Sequence, residues 1–178
     1  MSELQTNNLS DVAALRQAFD ESFAQPPAAD AVPTEDFLGI RVAGSPYALR
    51  LLEAVSVSAR CHILALPSEQ PDFLGLAGLK GELLPIYSLA SLLGHGREPA
   101  EERWLVVCGA EQRIGLAFAA LEGFLRVPRS EVFGLGAPER TQVHVQEALR
   151  FGAGVRHIVR VSSIVSSIGK RSAAASAP

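Results

Sequence analysis

The sequence predicts a mainly β protein, a small barrel or sandwich of antiparallel strands. Three observations carry that reading. Short apolar segments recur from Asp36 onward, each bounded by a glycine-containing turn. Within them apolar residues alternate, as in Trp104, Val106, Cys108 and Ile114, Leu116, Phe118, so each strand is expected to bury one face. No strand alternates regularly with a long helix, which argues against a doubly wound nucleotide fold.

The elements follow in order. Residues 1–35 form an arm distinct from the rest. Ser10 or Asp11 can cap a short helix whose Val12, Leu15, Phe19 and Phe23 make one apolar stripe. Pro26 and Pro27 end it, and Gln25 to Pro33 reads as an extended linker. The arm either rests on its own domain or docks in a partner's groove. From Phe37, two apolar runs flank Gly44-Ser45, a hairpin signal, and Pro46 places the second strand at an edge. Leu76 to Leu79 and Leu83 to Tyr87 flank a turn at Lys80-Gly81, and Pro85 again suggests an edge or a late start. Three strands follow between Trp104 and Val127, with breaks at Gly109 to Gln112 and Ala120 to Gly123. A last strand, His157 to Val161, leads into a helix from Ser162 to Ile168. The end, residues 169–178, reads as a disordered tail.

Composition removes several function classes. Sixteen Lys+Arg against 19 Asp+Glu give a net charge of −3, which leaves no cationic field for a phosphate backbone; nucleic acid is not an expected partner. Two cysteines, Cys61 and Cys108, make neither a disulfide scaffold nor a four-ligand zinc site. The N-terminus lacks a basic start and an apolar run, and no stretch approaches the ~20 apolar residues of a membrane span, so the chain reads as cytoplasmic, without membrane insertion.

No arrangement of residues suggests catalysis, a metal or a cofactor. Cys61 and His62 are neighbours on a strand and point to opposite faces, so neither can activate the other. His95, His144 and His157 lack ligand spacing, and His144 falls in a polar segment that reads as solvated. Gly75-x-x-Gly78-x-x-Gly81 is not a phosphate-binding order, and Gly134-x-Gly136 precedes Ala137-Pro138 where a helix start would be needed. Glu101-Glu102 reads as a solvated loop.

The segment Gly75-Leu76-Ala77-Gly78-Leu79-Lys80-Gly81-Glu82-Leu83-Leu84-Pro85-Ile86-Tyr87-Ser88-Leu89 resembles the signature of the CheW-like domain. Phe37 to Val42, Tyr47 to Val57, Pro67, the PDFLG segment and Arg113 to Val127 are similar to that family's flanking pieces in order and spacing. The resemblance covers about residues 36–168. It implies two five-stranded SH3-like barrel lobes sharing an apolar seam, and an adaptor role without catalysis. Its implied partners are the regulatory domain of a CheA-type histidine kinase, the cytoplasmic tip of a chemoreceptor, and other CheW-like proteins in rings. The implied contact residues are Ala54, Ser56 and Val57 on the second strand, with Gly75, Leu76, Lys80 and Gly81 around the motif.

The signature is not copied faithfully. Lys80 stands for the family's arginine, Ser88 for an aspartate, Ala90 for a frequent arginine, Ala119 for an aspartate and Ser56 for an acidic residue. The expectation is a retained scaffold with an altered electrostatic code for partners. A β-barrel interaction module outside chemosensing is the alternative. Independently of the family, apolar residues at barrel rims (Val57, Leu76, Leu83) are candidate contacts or core, with Leu83 favoured as core.

Overall fold

The computed structural model describes residues 32–96, 104–109, 112–136 and 143–175. The helix expected around Val12 to Phe23, its linker up to Ala31, Glu101-Glu102 and Ala137-Pro138 lie outside the described residues. Among the described residues eleven strands form two sheets: β1 Thr34–Val42, β2 Ser45–Arg50, β3 Ala54–Ala59, β4 Phe73–Leu79, β5 Glu82–Ser88, β6 Trp104–Cys108, β7 Ile114–Phe118, β8 Ala120–Pro128, β9 Val132–Gly134, β10 Val145–Phe151 and β11 Gly154–Val159. Among the described residues two α-helices join them, α1 Leu89–Leu92 and α2 Val161–Ala175.

The first sheet has the order β8-β1-β2-β11-β10-β9. Its two end strands are consecutive in the chain, separated only by the helical turn Arg129–Glu131. One bent strand therefore supplies both ends, and the sheet closes into a five-stranded barrel. The second sheet, β3-β6-β7-β5-β4, closes in the same manner. The chain leaving β3 kinks at Arg60 (φ 54°), and Leu64 then bridges Leu76 of β4 through two backbone hydrogen bonds of 2.8 and 3.0 Å. This is the expected pair of lobes. The chain passes from the first to the second at the turn Leu51–Glu53 and returns at Ala119.

The strands are not all antiparallel. Tyr47–Leu49 pair in parallel with His157–Val159, and Ile86–Ser88 with Gly115–Ala117. Five strands in a closed ring cannot alternate direction throughout, so each lobe needs one parallel pair. Both prolines lie immediately before these ladders begin, at Pro46 and Pro85. Leu76, opposite Pro85, already spends its N–H and C=O on Leu64. The prolines thus sit in internal strands at positions where a missing N–H costs no ladder bond, rather than at edges.

The hairpin turns are two residues long. Ala43-Gly44 (φ 48° and 75°) and Lys80-Gly81 (φ 49° and 84°) both place two consecutive residues in the left-handed region, which matches the twist of the flanking strands. The first turn is one residue earlier than the sequence suggests. A third hairpin, with Gly152-Ala153 at its tip, joins β10 to β11.

Side chains divide by strand face into three cores. Phe37, Ala48, Leu125, Val127, Leu149 and Ile158 fill the first barrel. Leu74, Ala77, Leu84, Ile86, Leu105, Val107 and Ala117 fill the second. The largest cluster is the seam, where Leu38, Ile40 and Leu49 of the first lobe meet Val106, Cys108, Leu116 and Phe118 of the second. β6 and β7 consequently bury both faces rather than one, the even-numbered residues facing the seam and Leu105, Val107 and Ala117 their own barrel. Full burial of each large aliphatic side chain stabilises by roughly 1.5–3 kcal/mol, so the seam dominates cohesion between lobes.

Helix α2 completes the seam. Val161, Ile164 and Ile168 recur at helical spacing and are buried in it. The helix runs to Ala175, so Lys170 to Ala175 are helical where the sequence reads as tail.

Candidate functional site

Leu51–Glu53 forms the turn that carries the chain between lobes, and it cannot bury both of its leucines. Leu52 is 94% exposed, and Val55, on the outward face of β3, is 52% exposed. Across from them runs the N-terminal half of α2. Between the two lies a groove of about 420 Å³ lined by Leu52, Glu53, Val55, Gly109, Val161, Ser162, Val165 and Ser166. Its walls are largely aliphatic, with serine hydroxyls and one carboxylate among them. Glu53 Oε1 accepts from the backbone N–H of Ser162 at 3.4 Å. A carboxylate at this helix end also meets the positive end of the helix dipole.

The motif residues lie elsewhere. β3 and β4 are the two end strands of the second sheet and are not hydrogen-bonded neighbours in it. The closure joins them through the segment after β3, where Leu64 bridges Leu76, so Ala54, Ser56 and Val57 lie on a different strand from Gly75, Leu76, Lys80 and Gly81. Ala54 and Val57 are half-buried and lean on the seam; Ser56 is also half-buried. Gly75 is buried at a bulge with φ 136°, and a Cβ there would run into the Leu64 backbone, 2.8 Å from its carbonyl carbon and 2.9 Å from the Ala65 Cα. Its role is to admit the segment that closes the lobe, the close approach the sequence suggests. Leu76 is half-buried with its backbone fully used, whereas Lys80 and Gly81 project at the exposed hairpin tip. Leu83, favoured as core from sequence, is 67% exposed opposite Gly78.

The positions that depart from the signature separate into interior and surface. Ser88 is fully buried at the start of α1, where its Oγ accepts from Ser91 N–H at 3.3 Å. A serine and an aspartate are equivalent helix caps, so the change at this position preserves a fold device. Ala90 is buried as well. Neither can alter a surface charge pattern. Of the five departures, only Ser56, Lys80 and Ala119 reach the surface, Lys80 fully and the other two in part.

His144, expected in a solvated segment, is instead half-buried, with Nδ1 3.0 Å from Ser163 Oγ on α2. Burial pulls its pKa below 6.5, helped by the Arg171 charge and opposed by Asp72. Tyr47 OH lies 2.7 Å from His95 Nε2, a link between the lobes. Cys61 is half-buried beside an exposed His62. Among the described residues no three His, Cys, Asp or Glu side chains converge, and no helix is long and apolar enough to cross a membrane.

Residues 36–169 match the model of the CheW-like domain. The chain belongs to the CheW-like family. A solved structure described as the scaffolding protein TtCheW from Thermoanaerobacter tengcongensis superposes on this CheW-like domain with a TM-score of 0.64 at 14% identity, covering 71% of this chain and 89% of that one. At that identity the likeness establishes the two-lobed fold alone. A search of curated proteins finds no match. Within the CheW-like domain, none of the residues lining the groove was singled out as a contact from sequence, Leu52, Glu53, Val55 and Val165 included. The available signal was the pair Leu51-Leu52 directly after a strand, which a tight turn cannot bury together.

Proposed function

We propose that this CheW-like protein is a chemosensory adaptor that holds a CheA-type histidine kinase and a chemoreceptor tip in fixed relative geometry. The observation that carries the proposal is the apolar groove between β3 and α2. Leu52 and Val55 are exposed on a rigid corner of the fold, where a partner's apolar side chains would bury them. Ala54, Ser56 and Val57 share that strand and are assigned to the same contact. Gly75 and Leu76 support a second contact surface by holding the lobe closed, with Lys80 and Gly81 at its tip. Two contact surfaces on one body whose lobes share a buried apolar seam suit a bridging role, because a movement imposed at one can be passed to the other. Family membership supports a scaffolding role rather than catalysis. The site of action under this reading is the cytoplasm, at receptor arrays.

The test is a pull-down of the full chain with a kinase regulatory domain and with a receptor tip, separately and together. Capture of both by one molecule supports coupling. Failure to capture either removes the coupling reading and leaves the fold untouched.

A further inference from the structure

The groove contains one group that its own fold leaves unsatisfied. Glu53 Oε2 is buried and has no hydrogen-bond partner among the described residues. Glu53 also takes part in none of the described ion pairs, whereas Glu35, Asp36, Asp72, Glu82, Glu122 and Glu147 are each matched to an arginine. Its one hydrogen bond among the described residues, from Ser162 N–H, uses the other oxygen. The same carboxylate is felt next door. The Cys108 thiol is pushed up to about 12, first by burial and then by the nearby Glu53 carboxylate.

A carboxylate oxygen buried without a partner is costly, and the cost falls when a cation or strong donor comes close to the group. The walls around it are apolar: Leu52, Val55, Val161 and Val165. We infer that the groove is built for an amphipathic partner segment presenting one arginine or lysine among apolar side chains, with Glu53 as the residue that selects the cation. This rests on the reading of the groove as a partner surface and adds the chemistry of the partner. An uncharged segment would bury Leu52 and Val55 equally well but leave the carboxylate unpaired beneath it. An acidic segment would bring like charges together. Glu53 itself lines the groove, so a cation seated there lies against its carboxylate.

The test uses three synthetic 15-residue peptides, rich in alanine and leucine and amphipathic as helices, that differ only at the central position: arginine, norleucine or glutamate. Binding to the full chain is followed by fluorescence anisotropy, and amide hydrogen exchange maps the site. The arginine peptide is expected to bind at least about tenfold more tightly than the norleucine peptide and to protect residues 51–55 and 161–166. Glu53→Gln keeps an acceptor for Ser162 N–H and removes the charge, so it should reduce that preference to less than about twofold without loss of α2 protection. Equal binding of the arginine and norleucine peptides, or a preference that survives in Glu53→Gln, would overturn the inference. So would protection outside the groove, or no binding at all. Capture of the kinase domain or receptor tip by wild-type protein alongside any of those results would sink the cation selectivity alone and leave the adaptor reading standing.

Discussion

Asp72 and Arg171 meet in a two-pronged ion pair, with Nη1 and Nη2 donating to Oδ1 and Oδ2 at 3.0 and 2.7 Å. Asp72 precedes β4 in the second lobe, and its side chain is 5% exposed. Arg171 lies near the end of α2, a helix that grows directly out of β11 in the first lobe. The pair clasps one lobe's terminal helix to the other lobe. At the opposite end of the helix Glu53, from the inter-lobe turn, accepts from Ser162 N–H.

Arg171→Ala should therefore destabilise by about 1.5–3 kcal/mol in urea titrations, because it strands a buried carboxylate. Asp72→Ala combined with Arg171→Ala should cost clearly less than the sum of the two single changes. Strict additivity would show that the pair contributes no coupling.

Gly75→Ala should be far more damaging than Gly78→Ala. At Gly75 the φ of 136° and the Leu64 backbone both oppose a side chain, while at Gly78 a Cβ meets nothing within 4 Å. The expected losses are more than about 2 kcal/mol for the first and within about 0.5 kcal/mol for the second. Thermal unfolding of the two variants decides this.

Ser88→Ala removes a buried cap and should cost about 1 kcal/mol, with no change in the ionic-strength dependence of partner binding. A changed salt dependence would mean that the position does shape the surface field, contrary to its burial.

His144 sets a pH dependence. Its pKa is lowered in the folded state, so the unfolded chain binds more protons as pH falls through 6.5. Its contribution is complete above that value and is lost progressively on acidification, down to the lowered folded pKa. Between pH 7.5 and 5 the melting temperature of wild type should fall more steeply than that of His144→Asn. Parallel pH profiles would contradict the assignment.

The alternation of β6 and β7, the two-residue turn at Lys80-Gly81 and the spacing of Ile164 and Ile168 were legible in the chain because each depends on local geometry. β10 was not. Its apolar residues, Val145, Ala148 and Leu149, are thrown out of alternation by a bulge between Val145 and Glu147. Its polar ones are used in contacts remote in sequence, Glu147 pairing with Arg50 at 2.9 Å. The lobe closures were equally hidden, since they depend on one strand bending to serve two ends of a sheet. The site was legible only in part. Val57 and Lys80 could be singled out by resemblance, but the exposure of Leu52 depends on where the chain changes lobes, and the groove on a helix more than 100 residues further along.

The most direct measurement is a calorimetric titration of wild type and Leu52→Glu against the kinase regulatory domain and the receptor tip. Leu52 is almost wholly exposed, so the substitution should change folding stability by no more than about 0.5 kcal/mol, the range of surface changes. The account predicts that wild type binds both partners and that Leu52→Glu weakens at least one of them about tenfold or more. Unchanged affinity for both in a folded Leu52→Glu protein would contradict it.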